Sequence, residues 1–253
     1  MLRESFIFLD GVGPKKESNI WSAGVSNWDS FLDSKKIEKL SPLSKGFYDR
    51  QLNKAKEAYA AEDTSFFAAN FPLGQTWRLY KDFRDQAVFL DIETSGYYGD
   101  ITVVGMYNGY ETKTMVRGQN LDKELLRKSL ASCKLLVTFN GASFDLPVIQ
   151  RYFGNVIPSV PHIDLRHVCS KVGLTGGLKQ IEKQMGVKRP KAVEGVSGED
   201  AVYLWQQYKA TGNREFLETL VMYNEEDIIN LKPIADTVIA QLWQKTRGIA
   251  KDD

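Results

Sequence analysis

Four acidic residues and one tyrosine stand out within three short blocks of a 253-residue chain. The blocks read F-L-D-I-E-T at 89–94, T-F-N-G-A-S-F-D-L-P at 138–147 and Y-N-E-E-D at 223–227. Asp91, Glu93, Asp145 and Asp227 are far apart in sequence, so their chemistry depends on a fold that brings them to one point. Gathered carboxylates repel one another and hold hard divalent cations, which is what a two-cation phosphodiesterase site requires.

Each block has a local structure that would aim its acids. Residues 87–90 are an apolar run with Asp85 before it and Ser95 and Gly96 after the block, so the first block reads as a buried strand. Strand side chains repeat every two residues, which sets Asp91 and Glu93 on one face. Burying such a pair is costly unless something positive meets it, and the plain alternative is a strand end turning to solvent. In the second block Asn140 and Gly141 suit a turn between strand and helix, the glycine for its tolerance of unusual dihedrals. Asp145 then stands at the helix start, where its simplest role is to favour the helix dipole. The third block sits in a helical pattern over 214–243. Tyr223 and Asp227, four apart, share a helix face, a spacing also common on surface helices. Glu225 and Glu226 flank that face and are expected to point to solvent.

The elements around these blocks follow from the same patterns. Helical periodicity is expected over 42–62 and 76–83, then strands near 87–93, 101–107, 111–116 and 134–139 alternating with helices, which predicts an α/β fold with a mixed sheet. The organisation changes near Asp85, giving a helical region at 1–85 and a second region at 86–253. Within 1–33, L-D-G-V-G-P-K-K at 9–16 resembles a helix-hairpin-helix element, in which a glycine turn lets backbone N–H groups approach phosphate. The alternative is a packing module in which Pro14 starts a helix and the Trp and Ile residues are buried.

Composition sets bounds. With 43% hydrophobic and 26% charged residues the chain suits a soluble globular enzyme with a sizeable core. A net charge of +1 excludes a broad basic footprint, so any attraction for a polyanion must be local. Cys133 and Cys169 are too few for a disulfide scaffold or a zinc knuckle and are expected to be reduced thiols. No stretch approaches the roughly 20 apolar residues of a membrane span, and the start of the chain lacks signal-peptide features, so a cytoplasmic location and no membrane partner are expected. Lys179, Lys183, Lys188, Arg189 and Lys191 form a basic cluster between the second and third blocks. Lys179, Lys188 and Arg189, with Asn140, are the positions expected to hold a nucleic-acid backbone; a solvated helix face and loop is the alternative. Asp164 reads as the N-cap of a helix over 165–171, ahead of a role as a fifth acid.

The three blocks resemble the Exo I, Exo II and Exo III motifs of the DEDD exonuclease superfamily, which includes polymerase proofreading domains. The third block matches the Y-x-x-x-D, or DEDDy, variant. The histidine variant needs His five residues before the acid, and neither His162 nor His167 has that spacing. G-G-L-K-Q-I-E at 176–182, H-I-D-L at 162–165 and the run from Gly198 through Trp205 and Tyr208 are similar to the YprB-type ribonuclease-H-like family over residues 86–246. H-I-D-L is also similar to family B DNA polymerase proofreading domains. The resemblance implies a ribonuclease-H-like mixed sheet flanked by helices, with a helical N-terminal extension. It implies two Mg²⁺ or Mn²⁺ ions about 3.5–4 Å apart, held by Asp91, Glu93, Asp145 and Asp227. Tyr223, whose ordinary pKa of about 10 makes it a poor base, would orient the nucleophile. The implied activity is 3′–5′ exonucleolytic release of nucleoside 5′-monophosphates from DNA or RNA with a single-stranded 3′ end. A catalytically silent nucleic-acid-binding module on the same fold is the alternative, and a structural adaptor is a third reading.

Overall fold

The structure is a computed structural model that describes residues 1–96 and 99–248. Residues 97–98, and 249–253 at the end of the expected 86–253 region, lie outside the described residues. A 3-10 turn at Leu2–Glu4 precedes α1 (Pro14–Ser22), α2 (Trp28–Asp33), α3 (Pro42–Ala60) and α4 (Thr64–Asn70). A second turn at Thr76–Leu79 runs into α5 (Tyr80–Phe83). Then follow β1 (Ala87–Thr94), β2 (Ile101–Tyr107), β3 (Thr112–Val116), α6 (Lys123–Ser129), β4 (Leu135–Thr138), α7 (Asp145–Phe153) and β5 (His162–Asp164). The last helices are α8 (Leu165–Lys171), α9 (Leu178–Met185), α10 (Gly198–Thr211) and α11 (Arg214–Arg247).

The five strands form one mixed sheet in the order β3-β2-β1-β4-β5. β1 pairs antiparallel with β2 and parallel with β4, so the expected α/β class holds. β5 has no counterpart among the expected strands. At three residues it is too short to show alternation, and its pairing with β4 and the bond from Thr76 Oγ1 to its His162 carbonyl (2.6 Å) define it.

Alternation along β1 sorts the two faces. Val88, Leu90 and Ile92 pack with Leu126 of α6 and Val148 and Ile149 of α7. Ala87 and Phe89 point the other way, into a core shared with Ile228, Leu231 and Ala235 of α11. Asp91 and Glu93 continue the parity of Phe89 and therefore face α11.

The same core includes Leu2, Phe6, Ile20, Trp28, Phe31 and Phe67, so the first 85 residues bury their apolar side chains against the sheet and α11. Pro14 takes the first turn of α1, where its missing N–H has no intrahelical partner to lose. Before Gly11, where a helix-hairpin-helix would place its first helix, only the Leu2–Glu4 turn is present. Arg78 and Glu17 form a fully buried ion pair at 2.7 Å that links the turn after α4 to α1. Cys133 and Cys169 are buried free thiols. Among the described residues, no helix is long and apolar enough to cross a membrane.

Candidate metal centre

The outward half of β1 and the middle of α11 supply three acids. One oxygen from each of Asp91, Glu93 and Asp227 lies within 4.8 Å of the others. Tyr223, one turn before Asp227, is buried on the same side of α11. Between them is Asn224, wholly buried, which donates from Nδ2 to Asp91 Oδ2 at 2.8 Å. Its space comes from Gly105, which pairs with Asp91 across β1 and β2. A Cβ on Gly105 would stand 2.0 Å from Asn224 Oδ1. Neither residue stands out in the sequence; the one available signal for Asn224 is its place inside the third block.

Asp145 arrives from the other side of β1. The pairing of β1 with β4 ends at Phe89 and Val137, leaving the Ile92 N–H without a strand partner on that edge. Asp145 Oδ1 accepts that N–H at 3.0 Å, so this acid stands beside the three-acid group and is not within it. The loop that delivers it is tightly held. Asn140 has φ +64, the left-handed region in which Asn is among the better tolerated residues. Gly141 is required by space and not by dihedral: a Cβ there would meet Thr138 Oγ1 at 2.3 Å. Asp164 accepts from the N–H groups of Asn140 (2.8 Å) and Ala142 (3.2 Å), and from Arg166 at the start of α8 (3.1 Å). It is thus the expected N-cap and also the clamp on the loop before Asp145.

Two of the expected backbone-binding cations turn inward. Lys179 Nζ, on the first turn of α9, donates to the Tyr223 hydroxyl at 3.1 Å and to the Val196 carbonyl. Arg189 follows the left-handed Gly186 that ends α9, and its side chain is 4% exposed. Nε and Nη2 donate to the two carboxylate oxygens of Glu182 at 2.7 and 2.6 Å, and Nη2 also contacts Asp227 Oδ1. Buried Glu182 needs a paired positive charge, which is why this member of the basic cluster leaves the solvated face. Lys188 stays exposed, and half-buried Asn140 accepts from Arg166 at 2.7 Å. Glu225 does not point to solvent; it accepts from Thr114 Oγ1 of β3 at 2.8 Å.

Burial and mutual repulsion set the electrostatics. Burial, then the charges of Asp145, Asp227 and Glu93, push the Asp91 carboxyl well above the ordinary range. Glu93 is raised well above it by burial and then by Asp227 and Asp145. Burial pushes Asp145 up to about 7 against the restraining Ile92 N–H. Asp227 is raised by burial, with Arg189 pulling it down. Tyr223 is pushed above the usual phenol range by burial and by the acids around it, so its hydroxyl keeps its proton. An all-oxygen set of this kind, strained by its own charge, fits a hard divalent cation. Asp91, Glu93 and Asp227 are the residues placed to hold one.

A solved structure described as "apo form of the nuclease" is similar at 20% identity and a TM-score of 0.46, over 70% of this chain and 80% of its own. No curated protein matches the chain. The RNase H superfamily model matches residues 88–239, from the second residue of β1 into the last third of α11, and thus includes all four acids and Tyr223. With more than half of its length inside that match, the chain belongs to the RNase H superfamily.

Proposed function

We propose that this chain is a metal-dependent 3′–5′ exonuclease of the DEDDy type, similar to the YprB-type family, acting on DNA or RNA with a single-stranded 3′ end. The observation that carries the reading is the convergence of Asp91, Glu93 and Asp227 within 4.8 Å, with the Tyr223 hydroxyl beside them. When bound, divalent ions supply activation of water and neutralisation of charge on the scissile phosphate. Asp91, Glu93 and Asp227 would hold one Mg²⁺ or Mn²⁺, and Asp145 is the carboxylate available to a second.

The chain's own groups do the positioning. Lys179 has only donors, so the Tyr223 oxygen accepts from it and the phenolic hydrogen is left to point at another acceptor. That acceptor is the attacking water or a phosphate oxygen, which gives Tyr223 an orienting role and no part as a base. Asn224 holds one oxygen of Asp91, so the other is turned to the ion. Products would be nucleoside 5′-monophosphates. Exposed Lys188 and the Asn140 loop remain the candidates for contact with the strand.

The test is product analysis of 3′- and 5′-labelled DNA and RNA oligonucleotides with Mg²⁺ and with Mn²⁺. Stepwise loss of mononucleotides from the 3′ end supports the reading. Binding with no release of nucleotide under Mn²⁺ would identify a silent binding module, and internal cleavage would make the chain an endonuclease.

A further inference from the structure

The described acids do not face one another alone. Arg189 reaches Asp227 with a guanidinium that is held in place from behind by Glu182, through both carboxylate oxygens at 2.7 and 2.6 Å. Glu182 is itself fixed: it is buried, and Asn230, one turn beyond Asp227 on α11, donates to its Oε1 at 3.0 Å. The guanidinium also lies 5.7 Å from the centre of the Tyr223 ring. A bidentate fork fixes both the place and the plane of the charge, which a flexible ammonium would not do. Nη1 of Arg189 and Oδ1 of Asp227 are both buried without a hydrogen-bond partner among the described residues, so Arg189 meets Asp227 as a close ion pair and not through an aligned hydrogen bond.

We infer that Arg189 is a resident counter-charge of the acid cluster: presented by Glu182 and Asn230, it stabilises and orients Asp227 when no cation is bound, and shares that carboxylate with the cation when one is. It is a positioning residue, acting through Asp227. The inference about the metal-free protein stands on geometry alone; its second half rests on the reading of the acids as a cation site.

The experiment is a double-mutant cycle on the full chain, read as melting temperature after EDTA treatment, followed by titration with MnCl₂ alone. Removing a partner from a buried charge network in the metal-free protein should lower the melting temperature of Arg189→Gln on the order of 5–10 °C. Part of this loss comes from Glu182, so the decisive comparison is the same substitution in an Asp227→Asn background, where the fall should shrink by half or more. Equal falls in the two backgrounds would overturn the inference and leave Arg189 as a partner of Glu182 only. Should Arg189→Gln fail to fold, the same cycle is run in a Glu182→Gln background, where Glu182 no longer leaves a buried charge unpaired; equal falls with and without Asp227→Asn in that background also overturn it. Saturating Mn²⁺ should raise the melting temperature of Arg189→Gln more than that of the unmodified chain, since the ion then supplies charge that the arginine had supplied. Equal shifts would refute the sharing of Asp227. If Mn²⁺ shifts neither protein, the cation reading fails, while the metal-free cycle still decides the role of Arg189.

Discussion

Asn224 on α11 donates to Asp91 on β1 at 2.8 Å, through a gap that exists only because residue 105 is glycine. This bond joins the strand that carries two acids to the helix that carries the third. It also sets which oxygen of Asp91 is free.

Gly105→Ala is therefore predicted to act on the site from the neighbouring strand β2, on the face of the sheet that meets α11. Its Cβ would stand 2.0 Å from Asn224 Oδ1, so the amide must move and the Asp91 bond is lost. Overpacking of this kind costs about 1–3 kcal/mol, which urea denaturation of the metal-free protein would measure. The midpoint for stabilisation by Mn²⁺ should move to higher concentration. An alanine variant with unchanged stability and metal response would show that Asn224 does not organise Asp91.

Asp91→Asn, Glu93→Gln and Asp227→Asn are predicted to lower nuclease turnover at least on the order of a thousandfold. For Asp91 and Glu93 the metal-free protein should melt at the same temperature or higher, because each substitution relieves repulsion within a buried acid group. Turnover close to the unmodified level in two of the three, at saturating Mg²⁺, would sink the assignment.

Tyr223→Phe keeps the ring, and with it the contact of Lys179 Nζ 4.4 Å from the ring centre, but removes the hydroxyl. Single-turnover rates should fall on the order of tenfold to a thousandfold, with metal affinity unchanged, if the hydroxyl orients the nucleophile. An unchanged rate would remove Tyr223 from the reaction.

Stability without metal should fall as the pH rises. The Asp145 carboxyl is lifted from 3.8 to about 7 in the fold, so between these values the folded chain keeps a proton that the unfolded chain has lost. More protons bound in the folded state means that unfolding free energy decreases with pH across that window, and the loss is complete above it. Asp91, Glu93 and Asp227 shift in the same direction. Asp145→Asn should gain in melting temperature relative to the unmodified chain as the pH goes from 5 to about 8. A constant difference between the two proteins would show that Asp145 carries no raised pKa.

The N-terminal region is predicted to be structural in its effect on the site. Trp28 is fully buried and donates to the Ser5 carbonyl at 2.8 Å, so Trp28→Ala should cost about 3–5 kcal/mol. Short and long oligonucleotides should then be hydrolysed with equal losses near the melting temperature. Weaker binding confined to long substrates, with a smaller salt dependence and no change in stability, would instead point to phosphate contact at the Gly11 turn.

Much of the architecture was legible in the chain because it depends on local periodicity. Strand alternation put Asp91 and Glu93 on one face, and the helical repeat put Tyr223 and Asp227 on another, from residues close in sequence. What tertiary structure decided was how these faces meet and what fills the space between them. β5 is created by pairing, not by its own three residues. Asp145 lies beside the three-acid group because β4 parts from β1 and leaves the Ile92 N–H to be satisfied. Arg189 and Lys179, which read as surface cations, are drawn inward because buried Glu182 and the acids around Tyr223 demand positive charge. Asn224 and Gly105, 119 positions apart, acquire meaning only when one occupies the space the other leaves. Periodicity is a property of neighbours along the chain, whereas charge compensation and close packing belong to neighbours in space.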